Sequence, residues 1–286
     1  MKEINKLIFS GGGTKGICYI GVVKCFEEVV LNKTVDFNIN EVCGVSIGSV
    51  FGLCYILGYT YDELYTEIMN VDFNELKKLK LKNFLTKYGL DDGKSFMKWI
   101  ENLLLKKGFS VNITLKQLWL KTGINFKVVT SNVNKYCLHI FDYKSNPNLR
   151  VIKAIRMSIS VPFMFSAEKY NDEYYVDGGL INNFPINIYD DCLDNVLGIK
   201  MITNGELNDN ITKEINSFES FAVNVFGCFL AKRERYTTLS HNYLQHIIAI
   251  DGSDSDFINF HLGNDEKEHL INIGYKAGID YFKNNV

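Results

Sequence analysis

Apolar and polar positions change period several times along this chain, and each change predicts an element. Residues 6–10 form a short apolar run bounded by glycine, the pattern of a buried strand. After Gly11–Gly16, apolar residues recur at helical spacing (Ile17, Ile20, Val23, Phe26, Val30), so a helix over 16–30 is expected. Residues 36–40 read as a polar connector into a second strand that ends near Cys43, and a buried helix is expected from about 46 to 57. Strand, loop, helix, strand, turn and helix make a compact βαβα unit, which predicts a parallel sheet core.

Farther along, Thr60 followed by Tyr61-Asp62-Glu63 resembles a capping box that opens another helix. An amphipathic helix over 95–107 is entered through Asp91-Asp92-Gly93 and stopped by Gly108. A helical turn at 115–120, a strand over 126–131 and a paired strand over 136–141 follow. A helix over 151–158 ends before Val161-Pro162. A strand over 173–176 delivers Asp177-Gly178-Gly179. Residues 196–202 read as a strand, 218–235 as a helix and 246–250 as the last strand. No internal repeat, low-complexity tract or linker composition divides the chain, so one domain over 1–286 is the simplest expectation.

Composition narrows the function classes. The 286 residues are 47% hydrophobic and 22% charged, as in a folded globular protein. The net charge of −2 gives no reason to invoke nucleic acid. Seven cysteines without a C-x-x-C pair read as reduced, mostly buried thiols in a reducing compartment. No secretory signal peptide is visible, so a cytoplasmic protein is expected. Residues 42–61 carry no charge, which is long enough to span a bilayer, with Gly44, Gly48 and Gly52 at the spacing of packed membrane helices. Glu41 and Asp62 border that stretch where basic anchors would be expected. A strand, a turn and a buried helix account for it better.

Two short motifs carry the chemistry. Gly11-Gly12-Gly13-Thr14-Lys15-Gly16 follows the first strand, and Gly44-Val45-Ser46-Ile47-Gly48 follows the second. A serine between glycines suits a sharp strand-to-helix turn that exposes its Oγ. Successive glycines after a strand let backbone N–H groups converge on one point, as an oxyanion hole requires. The first motif lacks the G-x-x-x-x-G-K-[ST] pattern of a phosphate loop, because Ile17 follows Gly16. The five histidines form no metal-binding pattern, and Asp251–Asp256 lacks the spacing of a calcium loop. No metal or organic cofactor is implied. Residues 74–87 interleave five lysines (Lys77, Lys78, Lys80, Lys82, Lys87) with leucine and phenylalanine. That pattern suits a solvated helix face, and it also suits a surface that meets anionic head groups.

With Asp177-Gly178-Gly179 added, the chain resembles the patatin-like phospholipases. That family joins a G-G-G-x-[RK]-G loop, a G-x-S-x-G elbow and a D-G-[GA] element. Tyr88–Gly93, Ser158-Ile159-Ser160-Val161-Pro162 and Asn182-Asn183-Phe184-Pro185 are also similar, and the likeness runs from about 6 to 202. C-terminal helices and a strand over about 203–286 would complete the same domain. Lys15 stands where many members have arginine, and Phe163-Met164-Phe165 follows Pro162 without a second proline. The resemblance implies a three-layer α/β/α sandwich with a mainly parallel sheet and a nucleophile elbow. It also implies a Ser46–Asp177 dyad without histidine, acting on phospholipid or other acyl-ester lipids. Gly11, Gly12 and Gly13 would donate to the oxyanion, and Lys15, Gly16, Gly44, Gly48, Gly178 and Gly179 would support the motifs. A peripheral contact with a membrane surface is expected. Two alternatives stay open at this point: an α/β-hydrolase esterase with a Ser-His-Asp triad, and a catalytically silent lipid-binding regulator of the same fold.

Overall fold

The structure is a computed structural model that describes residues 2–32, 35–202, 215, 217–218, 220–222, 224–228, 241–252 and 259–285. Its first half runs β1 (Lys2–Phe9), α1 (Cys18–Leu31), β2 (Val35–Val45), α2 (Ile47–Ile56), α3 (Tyr61–Met69), α4 (Phe73–Leu76), α5 (Leu81–Lys87) and β3 (Gly89–Asp91). There follow α6 (Lys94–Lys106), α7 (Leu115–Thr122), β4 (Asn125–Asn132), β5 (Cys137–Phe141) and α8 (Val151–Ser158). The chain continues through β6 (Phe163–Phe165), β7 (Glu168–Tyr170), β8 (Glu173–Asp177), β9 (Val196–Ile202) and β10 (Ile247–Asp251) to a long helix, α9 (Asn264–Asn285).

Strand order in the main sheet is β10-β9-β1-β2-β4-β8-β7, with β5 also paired to β4. The ladders β10–β9, β9–β1, β1–β2 and β2–β4 are parallel, whereas β5 and β8 run antiparallel to β4 and β7 antiparallel to β8. The expected mainly parallel α/β/α sandwich is therefore the architecture, with antiparallel strands added at one end. Its two layers of cover are unequal. One face carries a large core that includes residues of α1, α2, α6, α8 and α9. The other holds a smaller cluster, Ile8, Cys43, Val45, Val129, Val196 and Ile247, closed by Phe184, Ile186 and Tyr189 from the 3-10 stretch Ile186–Asn195 and the residues just before it.

The polar stretch 36–40, expected as a connector, belongs to β2. Val35 and Phe37 stand opposite Lys2 and Ile4, and burial alternates along the stretch so that Asp36, Asn38 and Asn40 face outward. It is a strand with one wet face, whose alternation the polar composition concealed. Residues 42–61 resolve into the end of β2, the turn at Ser46 and α2, most of them buried. No helix among the described residues is long and apolar enough to cross a membrane. Of the expected helix 218–235, the described residues up to 228 are helical and the remainder lies outside the described residues, as do 253–258 of the aspartate-rich loop.

The closing helix α9 packs along α1 at very short range. A Cβ at Gly274 would overlap the Cys18 carbonyl, and one at Gly21 would overlap the Ile271 carbonyl. Alanine at a helix interior normally stabilises by about 1 kcal/mol over glycine. Here Gly21→Ala and Gly274→Ala should each instead destabilise by about 1–3 kcal/mol, because backbone must move to admit the methyl. Denaturant titration of each variant checks this; an unchanged or raised midpoint would refute the close packing of the two helices.

Candidate active site

Ser46 is the N-cap of α2 with φ 52° and ψ −129°, a backbone conformation that non-glycine residues rarely adopt. Such strain costs about 1–3 kcal/mol and persists only where the surroundings over-determine it. They do so here. The Ser46 carbonyl accepts from Ser49 N–H (2.8 Å) and Ser49 Oγ (2.6 Å), and the Ser46 N–H donates to Ser158 Oγ (2.9 Å). The flanking glycines are a matter of space: a Cβ at Gly48 would overlap the Phe9 and Ser10 carbonyls, and one at Gly44 would lie 2.5 Å from Ser49 Cα.

Asp177 arrives from the opposite direction. Val129 in β4 pairs with Val45 of β2 on one side and Ile140 of β5 on the other. The next residue, Thr130, pairs with His139 of β5 and with Asp177 of β8. β8 therefore continues the flank that β2 leaves, and because the two strands run in opposite senses their carboxyl ends converge. Asp177 is 1% exposed. Its Oδ1 accepts from the Gly179 N–H at 2.8 Å, and its Oδ2 is sealed from solvent without a hydrogen bond of normal geometry. Burial pushes the carboxyl up to about 7, against the opposing pull of the Ser46 hydroxyl and the Gly179 N–H. Ser46 is thus close enough to act on the carboxylate without having closed on it. Proton-transfer pairs commonly tighten only when substrate fills the site.

The glycine loop lies against both motifs. Gly11 N–H donates to the Asn183 carbonyl (3.2 Å), and Asn183 Nδ2 donates back to the Gly11 carbonyl (3.1 Å). A Cβ at Gly11 would stand 3.3 Å from Ser46 Cβ, so the loop and Ser46 are side by side. Gly12 N–H and Gly13 N–H make no hydrogen bond among the described residues, and the Gly12 carbonyl accepts from Lys15 N–H at 3.2 Å. Gly13 opens the 3-10 turn Gly13–Ile17, which also holds Lys15 and Gly16. The Lys15 side chain is buried and runs toward Gly252 beyond β10. Gly178 follows the aspartate where a Cβ would lie 2.6 Å from the Val129 carbonyl.

A cleft of about 640 Å³, open solvent at its mouth included, reaches from the surface to Ser46. Ile17, Ile47, Phe51, Ile68, Phe73, Phe96 and Trp99 contribute to a wall that is almost wholly apolar. Asp177 does not line it and stays behind the serine. Among the described residues no histidine hydrogen-bonds to either candidate. His139 shares a register position with Asp177 across Thr130, but its ring packs against Phe141 and Tyr175, and burial holds its pKa below the usual range. The structure also brings in Ser158, Arg156 and Asn183, to which the sequence assigned no role. Ser158 and Asn183 sit in stretches that already resembled the family, the one signal that could have drawn attention to them.

Comparison with known proteins follows the same lines. Residues 7–190 match the family model described as patatin-like phospholipase. Protein R571 of Acanthamoeba polyphaga mimivirus is 30% identical over 282 residues, covering 96% of this chain and 92% of R571. The protein named Probable lipid hydrolase 463L, from Invertebrate iridescent virus 6, is 30% identical over 190 residues, 65% of this chain and 63% of its own. VipD from Legionella pneumophila has a similar fold, with a TM-score of 0.66 at 16% identity over 99% of this chain and 67% of that one. ExoU from Pseudomonas aeruginosa gives 0.51 at 14% identity over 99% of this chain, which spans about half of ExoU (52%). With the motifs, the sheet and the family match in agreement over this range, the chain belongs to the patatin-like phospholipase family.

Proposed function

We propose that the chain is a serine carboxylic-ester hydrolase that cleaves fatty acyl esters of phospholipids or related lipids through a Ser46–Asp177 dyad. The observation that carries this reading is an apolar cleft ending on a strained serine, with a sealed carboxylate of pKa about 7 behind it. A general base works best with a pKa near the operating pH, and burial supplies that here without a histidine. Ser46 Oγ attacks the ester carbonyl carbon as its proton passes to Asp177. The alcohol then leaves with that proton. Water, deprotonated by Asp177, attacks the acyl-enzyme, and the proton returns to Ser46 as the fatty acid departs.

Gly12 and Gly13 are the oxyanion donors in this reading, while the Gly11 N–H is spent on holding the loop to Asn183. Each such donor is worth about 2.7–4 kcal/mol in the transition state. The amino end of α2 favours the same charge. Lys15 steadies the loop from beneath, and Gly16, Gly44, Gly48, Gly178 and Gly179 admit the close approaches. A Ser-His-Asp triad draws no support, since no histidine among the described residues reaches the pair. The whole chain acts as one hydrolase domain, β10 and α9 completing the sheet and its cover. Seven free cysteines, four of them buried, favour a reducing, cytoplasmic setting.

The lipid is met at a membrane surface. Lys78, Lys80, Lys82 and Lys87 are exposed and form no ion pair among the described residues, with Leu79 and Leu85 exposed between them and Tyr88 exposed next to Lys87. The neighbouring Lys77 stands over Phe260, which lines the cleft, so this segment adjoins the cleft wall.

Mass spectrometry of a mixed lipid extract should show fatty acid release by wild type, and none by Ser46→Ala or Asp177→Asn. Release by folded Ser46→Ala would reject the dyad, and a folded histidine variant as inactive as Ser46→Ala would restore the triad. In wild type, kcat/KM on a soluble ester should fall as pH drops through about 7, where Asp177 takes up its proton.

Stability should show the same group with a definite sign. Folding raises this carboxyl from 3.8 to about 7, so the native state holds the proton more tightly than the unfolded chain. Its favourable contribution is complete below pH 3.8 and is lost as pH rises to 7, by about 4 kcal/mol in all. The stability of Asp177→Asn relative to wild type should therefore grow between pH 4 and 7, and a flat difference in denaturant titrations would contradict the buried-carboxyl reading.

Replacing Lys78, Lys80, Lys82 and Lys87 with glutamine should weaken sedimentation with anionic vesicles while hardly changing hydrolysis of a short-chain soluble ester. Each lysine contributes about 1 kcal/mol near such a surface, and salt screens it. Unchanged sedimentation would leave these lysines as an ordinary solvated face.

A further inference from the structure

The three-residue span Ser158–Ser160, at the end of α8, touches the backbone of both members of the dyad. Ser158 Oγ accepts from the Ser46 N–H at 2.9 Å and donates to the Val129 carbonyl at 2.6 Å. Two residues on, the Ser160 carbonyl accepts from the Asp177 N–H at 2.9 Å. Both serines are completely buried. The span is itself held: Arg156, 5% exposed, donates from Nη1 to Ser160 Oγ (2.6 Å) and from Nη2 to the Ser166 carbonyl (3.0 Å), and Ser160 Oγ donates back to the Arg156 carbonyl (2.7 Å).

Val129 is also the β4 residue that pairs with Val45, immediately before the nucleophile, and its neighbour Thr130 pairs with Asp177. The Ser158 hydroxyl thus closes a relay from Ser46 N–H through Oγ to the strand against which β2 and β8 meet. A hydroxyl suits that place because it accepts and donates at once. Alanine there would leave the Ser46 N–H, on the strained residue, without its acceptor.

We propose that Ser158 is a positioning residue, whose hydroxyl pins the Ser46 elbow to β4 while the Ser160 carbonyl pins Asp177, so that this span sets the distance over which the serine proton passes to the aspartate. It touches neither substrate nor the reacting atoms. The inference rests on the dyad reading above. Misplacement of a reacting group by about 1 Å can cost about 100-fold in rate. The loss therefore falls on kcat, because the apolar cleft that binds the chain is unchanged.

The test compares wild type, Ser158→Ala, Ser158→Cys and Tyr59→Phe on a soluble short-chain ester. Tyr59→Phe removes another buried hydrogen bond, from the Tyr59 hydroxyl to the Leu103 carbonyl (2.8 Å), outside the machinery described above. It controls for a plain loss of stability. Thermal melting and fluorophosphonate labelling count the folded, reactive enzyme in each sample. Per folded molecule, Ser158→Ala should lose about 10- to 100-fold in kcat with KM within about twofold. Its acid limb should move to higher pH, because a displaced Ser46 hydroxyl no longer draws the Asp177 carboxyl down. Ser158→Cys, similar in size but a weak hydrogen-bonding group, should fall between Ala and wild type. It carries the test if Ser158→Ala does not fold. If both Ser158 variants match Tyr59→Phe in kcat and in acid limb, Ser158 is a structural hydroxyl and the inference is overturned. Activity surviving in Ser46→Ala under the same assay would instead remove the dyad itself.

Discussion

The end-to-end meeting of β2 and β8 on one flank of β4 is the constraint on which the rest of this site depends. Parallel pairing brings Val45 to Val129, antiparallel pairing brings Asp177 to Thr130, and the gap between the two carboxyl ends is where Ser46 and the Asp177 carboxyl come together. Two parallel strands on one flank of β4 could not meet carboxyl end to carboxyl end, as β2 and β8 do. The change of direction after β4 therefore has a chemical consequence as well as a topological one. It also buries the carboxyl, since a residue at the junction of three strands has backbone and side chains on every side.

In the proposed dyad, burial takes the part that a histidine has in a triad. Desolvation penalises the charged carboxylate and brings its pKa to about 7, and only the Gly179 N–H and the Ser46 hydroxyl work against it. A carboxyl with three or four good donors would be too weak a base to take a proton from serine. The orphaned Oδ2 is consistent with the base assigned to Asp177 in the proposed dyad. The strained Ser46 backbone leaves no such orphan, because its N–H and its carbonyl are both bonded.

Much of this was legible in the chain. Ser46 between Gly44 and Gly48, the loop Gly11–Gly16 and the strand ending at Asp177 are local signals, because glycine is needed wherever backbones approach within a side chain's width. The helices with regular apolar spacing, 94–106 and 151–158, follow from the same kind of local pattern. Other parts were obscured by composition. Residues 36–40 look like a connector because one face of that strand is wet, and α9 carries Gly274 and Gly278 where a periodic apolar stripe would have announced it. Those glycines have meaning only against α1, a partner some 250 positions earlier in the chain.

The sequence by itself determined the elements that carry the chemistry: a strand, glycine loop and helix; a strand, serine elbow and helix; and a strand ending in aspartate. Each depends on short-range sterics and periodicity, which residues a few positions apart decide. Tertiary structure alone decided that Gly11 spends its N–H on Asn183, that Ser158 and not a neighbour receives the Ser46 N–H, and that the Asp177 carboxyl is sealed. The partners in these interactions lie 172 positions apart for Gly11 and Asn183 and 112 for Ser46 and Ser158. Neither propensity nor spacing reaches that far, and a pKa set by desolvation exists only once the surrounding chain has closed.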